Sequence, residues 1–130
     1  MSTYVFSLQR VLDARRAEER MRAQELSAAL QLRAGRERRL EGLLADEVRA
    51  KQVKRAVLER ATVVEELLRA QRWLETVGRG VESERAELAR LEESVARRRG
   101  ALMEARAQVR ALETLEERRR ADWERRREVV

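Results

Sequence analysis

Adjacent glutamates are the first residues of this sequence that could carry chemistry. Two carboxylates that face one substrate can act as a general acid and a general base. The sequence contains four such pairs: Glu18-Glu19, Glu65-Glu66, Glu92-Glu93 and Glu116-Glu117. Neighbouring residues of a helix point about 100° apart, so the two carboxylates of each pair face water separately. We therefore expect no acid–base catalysis from them.

Other catalytic and metal-binding groups are missing from the composition. The sequence has no histidine and no cysteine, which excludes imidazole bases, thiol nucleophiles, disulfides and the usual zinc ligands. It also lacks a glycine-rich phosphate loop, a Walker sequence and a cluster with metal-ligand spacing. We predict a protein that is not an enzyme and that uses no cofactor, metal or small-molecule substrate.

Three arginine triplets raise the alternative of nucleic-acid binding, because clustered cations neutralise phosphates. They are Arg97–Arg99, Arg118–Arg120 and Arg125–Arg127. Each has carboxylates within four residues, which can pair with the arginines along a helix. The net charge of +6 arises from 30 basic and 24 acidic residues that are interspersed, which is typical of a solvated helical surface. Nucleic-acid binding is therefore disfavoured; it would show a steep dependence on salt.

The composition predicts helices that are held together by a thin seam. Aromatic residues make up 3% of the chain, which is too few for a layered core, and charged residues make up 42%, which is too many. Proline is absent, glycine occurs five times, and good helix formers dominate. No run approaches the roughly 18 apolar residues of a membrane span, and Met1 to Leu12 lacks the apolar stretch of a secretory signal. We expect a cytoplasmic protein.

A heptad repeat runs through the second half of the chain. Its a positions are Leu67, Leu74, Val81, Leu88, Val95, Leu102, Val109, Glu116 and Trp123. Its d positions are Val63, Ala70, Val77, Glu84, Leu91, Arg98, Ala105, Leu112 and Arg119. Fourteen of these eighteen residues are apolar, well above what a chain with 43% hydrophobic residues gives by chance, so the repeat predicts a coiled-coil helix over about 62–127.

The first half is also predicted to be helical, over about 5–50, but its repeat is weaker. The best frame starts with a at Val5 and d at Leu8 and is apolar at nine of sixteen positions. Ser7 is a candidate N-cap for this helix.

We place the turn between the helices within about 51–62. Thr62 and Glu65 have the spacing of a capping box at the start of the second helix, and the heptad passes Val77 and Val81 without a change of phase. A turn at Gly78 to Gly80 remains the alternative. The predicted fold is all-α, a single domain of residues 1–130 forming a long antiparallel two-helix coiled-coil hairpin.

Four charged residues fall on the predicted seam of the second helix, where apolar side chains belong. They are Glu84, Arg98, Glu116 and Arg119. Each weakens the hairpin unless it finds a partner across the interface.

Short motifs at both ends of the chain resemble those of the FliJ proteins of flagellar type III export. Phe6 to Leu12 reads FSLQRVL, followed by Arg15 and Glu18-Glu19, and is similar to the family's opening F-x-L-x-x-[VL]-L with R and E-E after it. Leu112 to Arg119 reads LETLEERR and looks like the family's L-E-x-L-x-E-R segment. Related stalk proteins serve virulence-type injectisomes.

The resemblance implies a fold similar to the stalk (γ) subunit of rotary ATPases. It implies a stalk that binds the hexameric export ATPase, promotes its assembly, couples it to the membrane export-gate protein and handles export chaperones. Such a protein would be cytoplasmic and peripherally associated with the inner-membrane export apparatus. An injectisome stalk and a generic structural coiled coil, which could be dimeric, stay open as alternatives.

The resemblance also implies two sets of binding residues. The expected ATPase-binding residues are Phe6, Leu8, Leu12, Leu112, Leu115, Arg118 and Arg119. The expected gate-binding residues are Leu40, Leu43, Trp73, Val77, Gly80 and Glu84. In the second set, Gly80 and Glu84 depart from the family's side chains, and the family's aromatic residues are missing around Asp46 and Ala50.

Overall fold

The fold consists of two long α-helices. This computed structural model describes residues 3–60 and 63–129, and among these residues there is no strand. Helix α1 spans Gln9–Arg60 and helix α2 spans Val64–Val129. Segments of α1 and α2 that are distant in sequence pack side by side. The predicted fold class, an all-α two-helix hairpin, is confirmed.

The helices end at different places from those expected. Helix α1 continues to Arg60, ten residues past the expected end, because good helix formers fill 51–60 and Ala50 and Val57 are buried in the seam. Gly78 and Gly80 lie inside α2, so the chain does not turn there. The expected turn segment includes Ala61 and Thr62, and these two residues and the capping box at Thr62 lie outside the described residues.

Helix α1 begins later than its heptad frame suggested. Residues 3–6 have no helical structure, which leaves Val5 79% exposed and buries Phe6 instead. The first bonds of the helix run from Gln9 N to Phe6 O (3.1 Å) and from Leu12 N to Leu8 O (2.9 Å). Ser7, the expected N-cap, accepts a hydrogen bond from Arg119 at its side-chain oxygen.

Contacts within the chain divide it into two units. The terminal unit comprises Met1–Ala28 and Val95–Val130, and the turn unit comprises Ala29–Ser94. The buried apolar residues of the terminal unit are Phe6, Leu12, Val95, Leu102, Ala105 and Val109. Those of the turn unit are Ala29, Ala50, Val57, Ala70, Val77 and Val81. The second heptad therefore predicts the buried side of α2 well in both units.

Ion pairs between residues three or four apart lie on the solvent-facing sides of both helices. Arg15 pairs with Glu18 (3.2 Å), Arg49 with Asp46 (2.6 Å) and Arg90 with Glu87 (2.6 Å). Such pairs stabilise a helix by about 0.2–0.5 kcal/mol each. Many of the charged residues thus lie on the solvated surface of the helices, as their interspersed pattern in the sequence indicated.

Candidate protein-binding surfaces

The terminal unit contains an apolar cluster that packs residues from both ends of the chain together. Phe6, Leu12 and Val109 are buried together, with exposed fractions of 5%, 2% and 5%. The partly buried residues around them are Tyr4, Leu8, Leu112 and Leu115. The cluster therefore joins residues that lie before α1, in its first turn and in the last third of α2.

Residues 3–8, here called the N-terminal arm, are held against α2 by aromatic and arginine side chains. The hydroxyl of Tyr4 donates a hydrogen bond to the backbone oxygen of Glu116 (3.3 Å), and the Tyr4 ring lies 5.8 Å from the Trp123 ring. Arg119 donates to Ser7 Oγ (2.9 Å) and sits over the Phe6 ring at 5.8 Å. These contacts fix an arm that is not itself helical.

Two more arginines cover the other aromatic rings of this region. Arg120 lies 5.5 Å from the centre of the Tyr4 ring, and Arg127 lies 5.4 Å from the centre of the Trp123 ring. Cation–π contacts at exposed sites contribute about 0.5–1 kcal/mol each. Part of the arginine-rich sequence therefore stabilises the arm.

The structure brings the expected ATPase-binding residues together but gives them two different environments. The five apolar ones all belong to the cluster around Phe6 and Leu12, so their side chains pack within the chain. Arg118 and Arg119 are exposed, and only Arg119 contacts the arm. Whether any of them binds an ATPase stays a prediction.

The resemblance did not include Tyr4, Val109, Trp123, Arg120 or Arg127, which the structure adds to this region. Three of the four aromatic residues of the chain lie within six residues of the N-terminus or eight of the C-terminus, and Trp123 and Val109 occupy a positions of the heptad. That clustering in the sequence could have indicated an aromatic contact between the two ends. Their pairing required the antiparallel arrangement, because Tyr4 and Glu116 are 112 residues apart.

The excess positive charge of the chain is concentrated in the terminal unit. This unit has sixteen basic and eleven acidic residues, whereas the turn unit has fourteen and thirteen. The terminal unit therefore has a net charge of +5 and the turn unit of +1. Such an imbalance attracts acidic surfaces over about a Debye length, or roughly 10 Å at 0.1 M salt.

Ion pairs also cross the seam of the terminal unit, both at its a and d positions and beside them. Arg98 at a d position pairs with Glu25 (3.6 Å), which in turn pairs with Arg22 (3.3 Å). Arg16 pairs with Glu113 at 3.2 Å. Of the charged residues on the predicted seam, Arg98 thus has a partner on α1 and Arg119 has partners in the arm.

Among the described residues of the turn unit, Glu84 is a buried charged residue and is 5% exposed. Its Oε1 accepts a hydrogen bond from Arg36 Nη1 (2.8 Å) and forms an ion pair with Arg39 Nε (3.2 Å), both on the opposite helix. Its Oε2 is buried without a hydrogen-bond partner among the described residues. Arg36 occupies a d position of the first frame, so opposite charges at two core positions meet here.

The expected gate-binding residues all lie in the turn unit, but they differ in exposure. Trp73 is 40% exposed, whereas Leu40, Leu43 and Gly80 are half-buried. Leu43 and Gly80 adjoin, since a Cβ on Gly80 would lie 3.4 Å from Leu43 Cδ2. The remaining two, Val77 and Glu84, are buried in the seam, and their side chains face the opposite helix.

A shallow groove beside Trp73 was not expected from the sequence. Its floor is formed by Val57 and Ala70, and its other lining residues are Val53, Arg60, Glu66 and Arg69. The small side chains of Ala50 and Ala70 are buried in the seam of the same unit. Val53 was a usable signal, because it is an apolar residue outside the a and d positions.

One family model matches a range that contains the terminal core, residues 4–8 of the arm and the turn unit with Trp73. The model is described as Flagellar FliJ protein and matches residues 4–129, nearly the whole chain. The chain belongs to the FliJ family. The resemblance in the end motifs is thereby confirmed, and the protein is related to flagellar export. The comparisons with curated proteins and with solved structures found no match.

Two further observations on this FliJ-family protein concern membrane spans and metal sites. Over residues 3–60 and 63–129, neither helix has a stretch long and apolar enough to cross a lipid bilayer. Within the same residues no group of three or more acidic side chains is arranged to hold a metal ion. The family is a component of export and is not a family of enzymes.

Proposed function

We propose that this FliJ-family protein is the coiled-coil stalk of a flagellar export apparatus. In this proposal it binds the hexameric export ATPase, promotes assembly of the ring, couples the ring to the membrane export-gate protein and handles export chaperones. It works in the cytoplasm, at the inner membrane. The observation that carries the proposal is the family match across residues 4–129.

The terminal unit is the part that we assign to the ATPase. Both chain ends are packed together there by the cluster around Phe6, Leu12 and Val109, so the two ends can enter a ring as one body. The net charge of +5 suits a pore with acidic walls. The five apolar residues of the expected set support this surface from within, and Arg118 and Arg119 lie on it.

The turn unit is the part that we assign to the gate protein. Trp73 supplies exposed aromatic area, which is common at protein interfaces, and Leu40, Leu43 and Gly80 supply half-buried apolar surface. Val77 and Glu84 contribute by holding the seam beneath that surface, because both are buried. The groove at Val53 and Arg69 extends the candidate surface beyond the expected residues.

The test of the proposal is the ATPase rate of the cognate export ATPase with and without this protein, together with the size of the ATPase assembly. We expect stimulation and ring formation when the two proteins are mixed near one stalk per ring. No stimulation at saturating protein would contradict the proposal and favour a structural scaffold, which predicts self-association only.

Charge reversal can then assign the effect to the terminal unit. Arg106, Arg110 and Arg118 are exposed there, and none of them pairs with a described acidic residue, so reversing them to glutamate spares the arm. The matched control reverses Arg38, Arg72 and Arg85 of the turn unit, which are likewise exposed. We expect the first triple variant to lose stimulation and the control to keep it. Equal losses would show that only overall charge matters.

The gate assignment is tested by binding to the cytoplasmic part of the export-gate protein. Trp73→Ala should weaken binding roughly tenfold or more, the size expected for loss of an aromatic anchor. Leu32→Ala is the control, since Leu32 is 62% exposed in the same unit and lies outside the assigned surface. Undiminished binding of the Trp73 variant would remove the gate assignment.

Handling of export chaperones is tested by co-purification of the chaperones with the full chain. We expect retention of at least one chaperone without its cargo. If neither free nor cargo-loaded chaperones are retained, this part of the proposal fails, while the ATPase and gate parts are judged by their own experiments.

A further inference from the structure

A cleft in the terminal unit lies between the N-terminal arm and the last turns of α2. Its lining includes Thr3, Tyr4, Ser7, Arg119, Trp123 and Arg126. We call it the arm cleft. The arm forms one wall, and its position is fixed by the bond from Tyr4 to the Glu116 backbone and by the burial of Phe6. The cleft is therefore built by the fold and is not a gap beside a loose end.

The arm cleft has an uncompensated positive charge. Two arginines line it, and none of the described lining residues is acidic. Arg119 donates to Ser7 Oγ, and Arg126 donates from Nε to the backbone oxygen of Asp122 (3.4 Å). A guanidinium carries five N–H donors, so most donors of both residues remain available to a ligand. This differs from much of the helical surface, where arginines pair with carboxylates.

The surroundings of the cleft disfavour a nucleotide base or a small phosphate. The rings of Tyr4 and Trp123 contact each other, and Arg120 and Arg127 each lie over one of them, so the ring faces in these contacts are not free to stack on a base. The cleft lies near the C-terminal end of α2, where exposed carbonyls carry negative partial charge. A small anion would gain no backbone N–H donors there.

A polypeptide with acidic side chains needs no free ring face, and two of its carboxylates can use both arginines, which a single small anion cannot do. Arg119 and Arg126 are seven residues apart on one helix, which is about two turns or roughly 10 Å. Carboxylates with a similar spacing on a partner can reach one arginine each. Ser7 and Thr3 can donate their hydroxyl hydrogens to the same ligand.

We propose that the arm cleft binds an acidic segment of a partner protein, with one carboxylate at Arg119 and another at Arg126. This inference rests on the proposed function, because the partner that it assigns is the ATPase that holds the terminal unit. It adds the position of the contact, its chemistry and a role for the arm, which forms a wall of the site.

Trp123 provides a direct measurement, since it lines the cleft. In the full chain with Trp73→Phe, Trp123 is the sole tryptophan, and its fluorescence can be titrated with a hexaglutamate peptide. Hexaglutamine, inorganic phosphate and a mixed-sequence oligonucleotide are the comparison ligands. We expect saturable binding of hexaglutamate that weakens as salt rises, and weaker binding of the other three.

Arg126→Gln is the decisive variant. The hydrogen bond that Arg126 donates lies within its own helix, so its loss should leave the arm in place. Hexaglutamate should bind this variant about fivefold more weakly, the size expected for an exposed ion pair. Arg119→Gln should weaken binding similarly, although it also removes the contact to Ser7. The control variant, Arg38→Gln with Arg85→Gln, removes charge from the turn unit and should bind like the parent chain.

Three results would overturn the proposal: no saturable binding of hexaglutamate, an equal loss in the control variant, or tighter binding of phosphate or the oligonucleotide. Co-fractionation with the export ATPase separates this failure from that of the proposed function. If the parent chain and Arg126→Gln bind the ATPase equally, the cleft assignment is wrong and the stalk function stands. If the parent chain does not bind the ATPase, the stalk function is wrong whatever the peptide does.

Discussion

Three of the four aromatic residues lie in the terminal unit, whereas the seam of the turn unit contains alanine, valine and the buried Glu84. The same two helices are thus held together by different means. In the terminal unit, apolar burial around Phe6 and Leu12 dominates, and arginines cover its rim. In the turn unit, a carboxylate and two arginines meet at a thin seam.

The two kinds of seam contribute differently to the stability of the helix pair and to the alignment of its two helices. An apolar cluster stabilises a helix pair strongly but tolerates shifts along the helices, since similar side chains recur every heptad. A buried carboxylate that must meet Arg36 and Arg39 tolerates only one alignment, at some cost in stability. We expect the terminal unit to supply most of the stability and the turn unit to set the alignment of its two helix segments.

The largest effect should follow from removing the partners of Glu84. Arg36→Ala with Arg39→Ala leaves a buried carboxylate without a cation, which costs about 3–5 kcal/mol in free energy of unfolding. Glu84→Met, which removes the buried charge itself, should be neutral or stabilising. Urea unfolding followed by circular dichroism measures both. A small effect of the double variant would show that the carboxylate reaches water and does not set the alignment.

A slightly smaller effect is expected from opening the terminal cluster. Leu12 is 2% exposed, and Leu12→Ala should lower the free energy of unfolding by about 2–4 kcal/mol through lost burial and a cavity. Thermal unfolding is the measurement, and Leu32→Ala is the control because Leu32 is 62% exposed. Similar losses in both variants would contradict the view that the terminal cluster supplies most of the stability.

Replacing Gly78 in the turn unit should increase stability. A Cβ at this position would meet no atom within 4 Å, so Gly78→Ala adds helix propensity without strain and should raise the free energy of unfolding by about 1 kcal/mol. At Gly80 the added methyl would touch Leu43 at 3.4 Å, so the gain there should be smaller. A loss of stability in Gly78→Ala would show that the helix is bent or opened at this position.

The smallest effect is expected for an exposed pair of the terminal unit. Arg16 and Glu113 lie 3.2 Å apart, with side chains 42% and 46% exposed. A double-mutant cycle with alanine at both positions should give a coupling of about 0.5 kcal/mol that falls as salt rises. A coupling as large as that between Glu84 and its arginines would remove the contrast between the two units.

The helices, the buried side of α2 and the family could all be predicted, because composition and the heptad act along the chain. The turn could be placed only approximately, since residues 51–60 favour helix as strongly as the rest of α1. Of the terminal cluster, the sequence offered Phe6, Leu8, Leu12, Leu112 and Leu115, as expected ATPase-binding residues and not as a packed cluster. The arm, its contact with Trp123 and the arm cleft were not predicted. The burial of Val77 followed from its d position in the heptad, and its expected role in gate binding stays a prediction.

The sequence by itself determined that this protein is helical, that α2 has an apolar stripe and that the chain is a FliJ-family member. Only the tertiary structure decided that Arg36 and Arg39 meet Glu84 and that Tyr4 meets Trp123. The physical reason is that a heptad repeat predicts which side of a helix is buried, but it does not predict which turn of the other helix that side contacts. That alignment depends on the path of the whole chain, which brings together residues up to 119 positions apart.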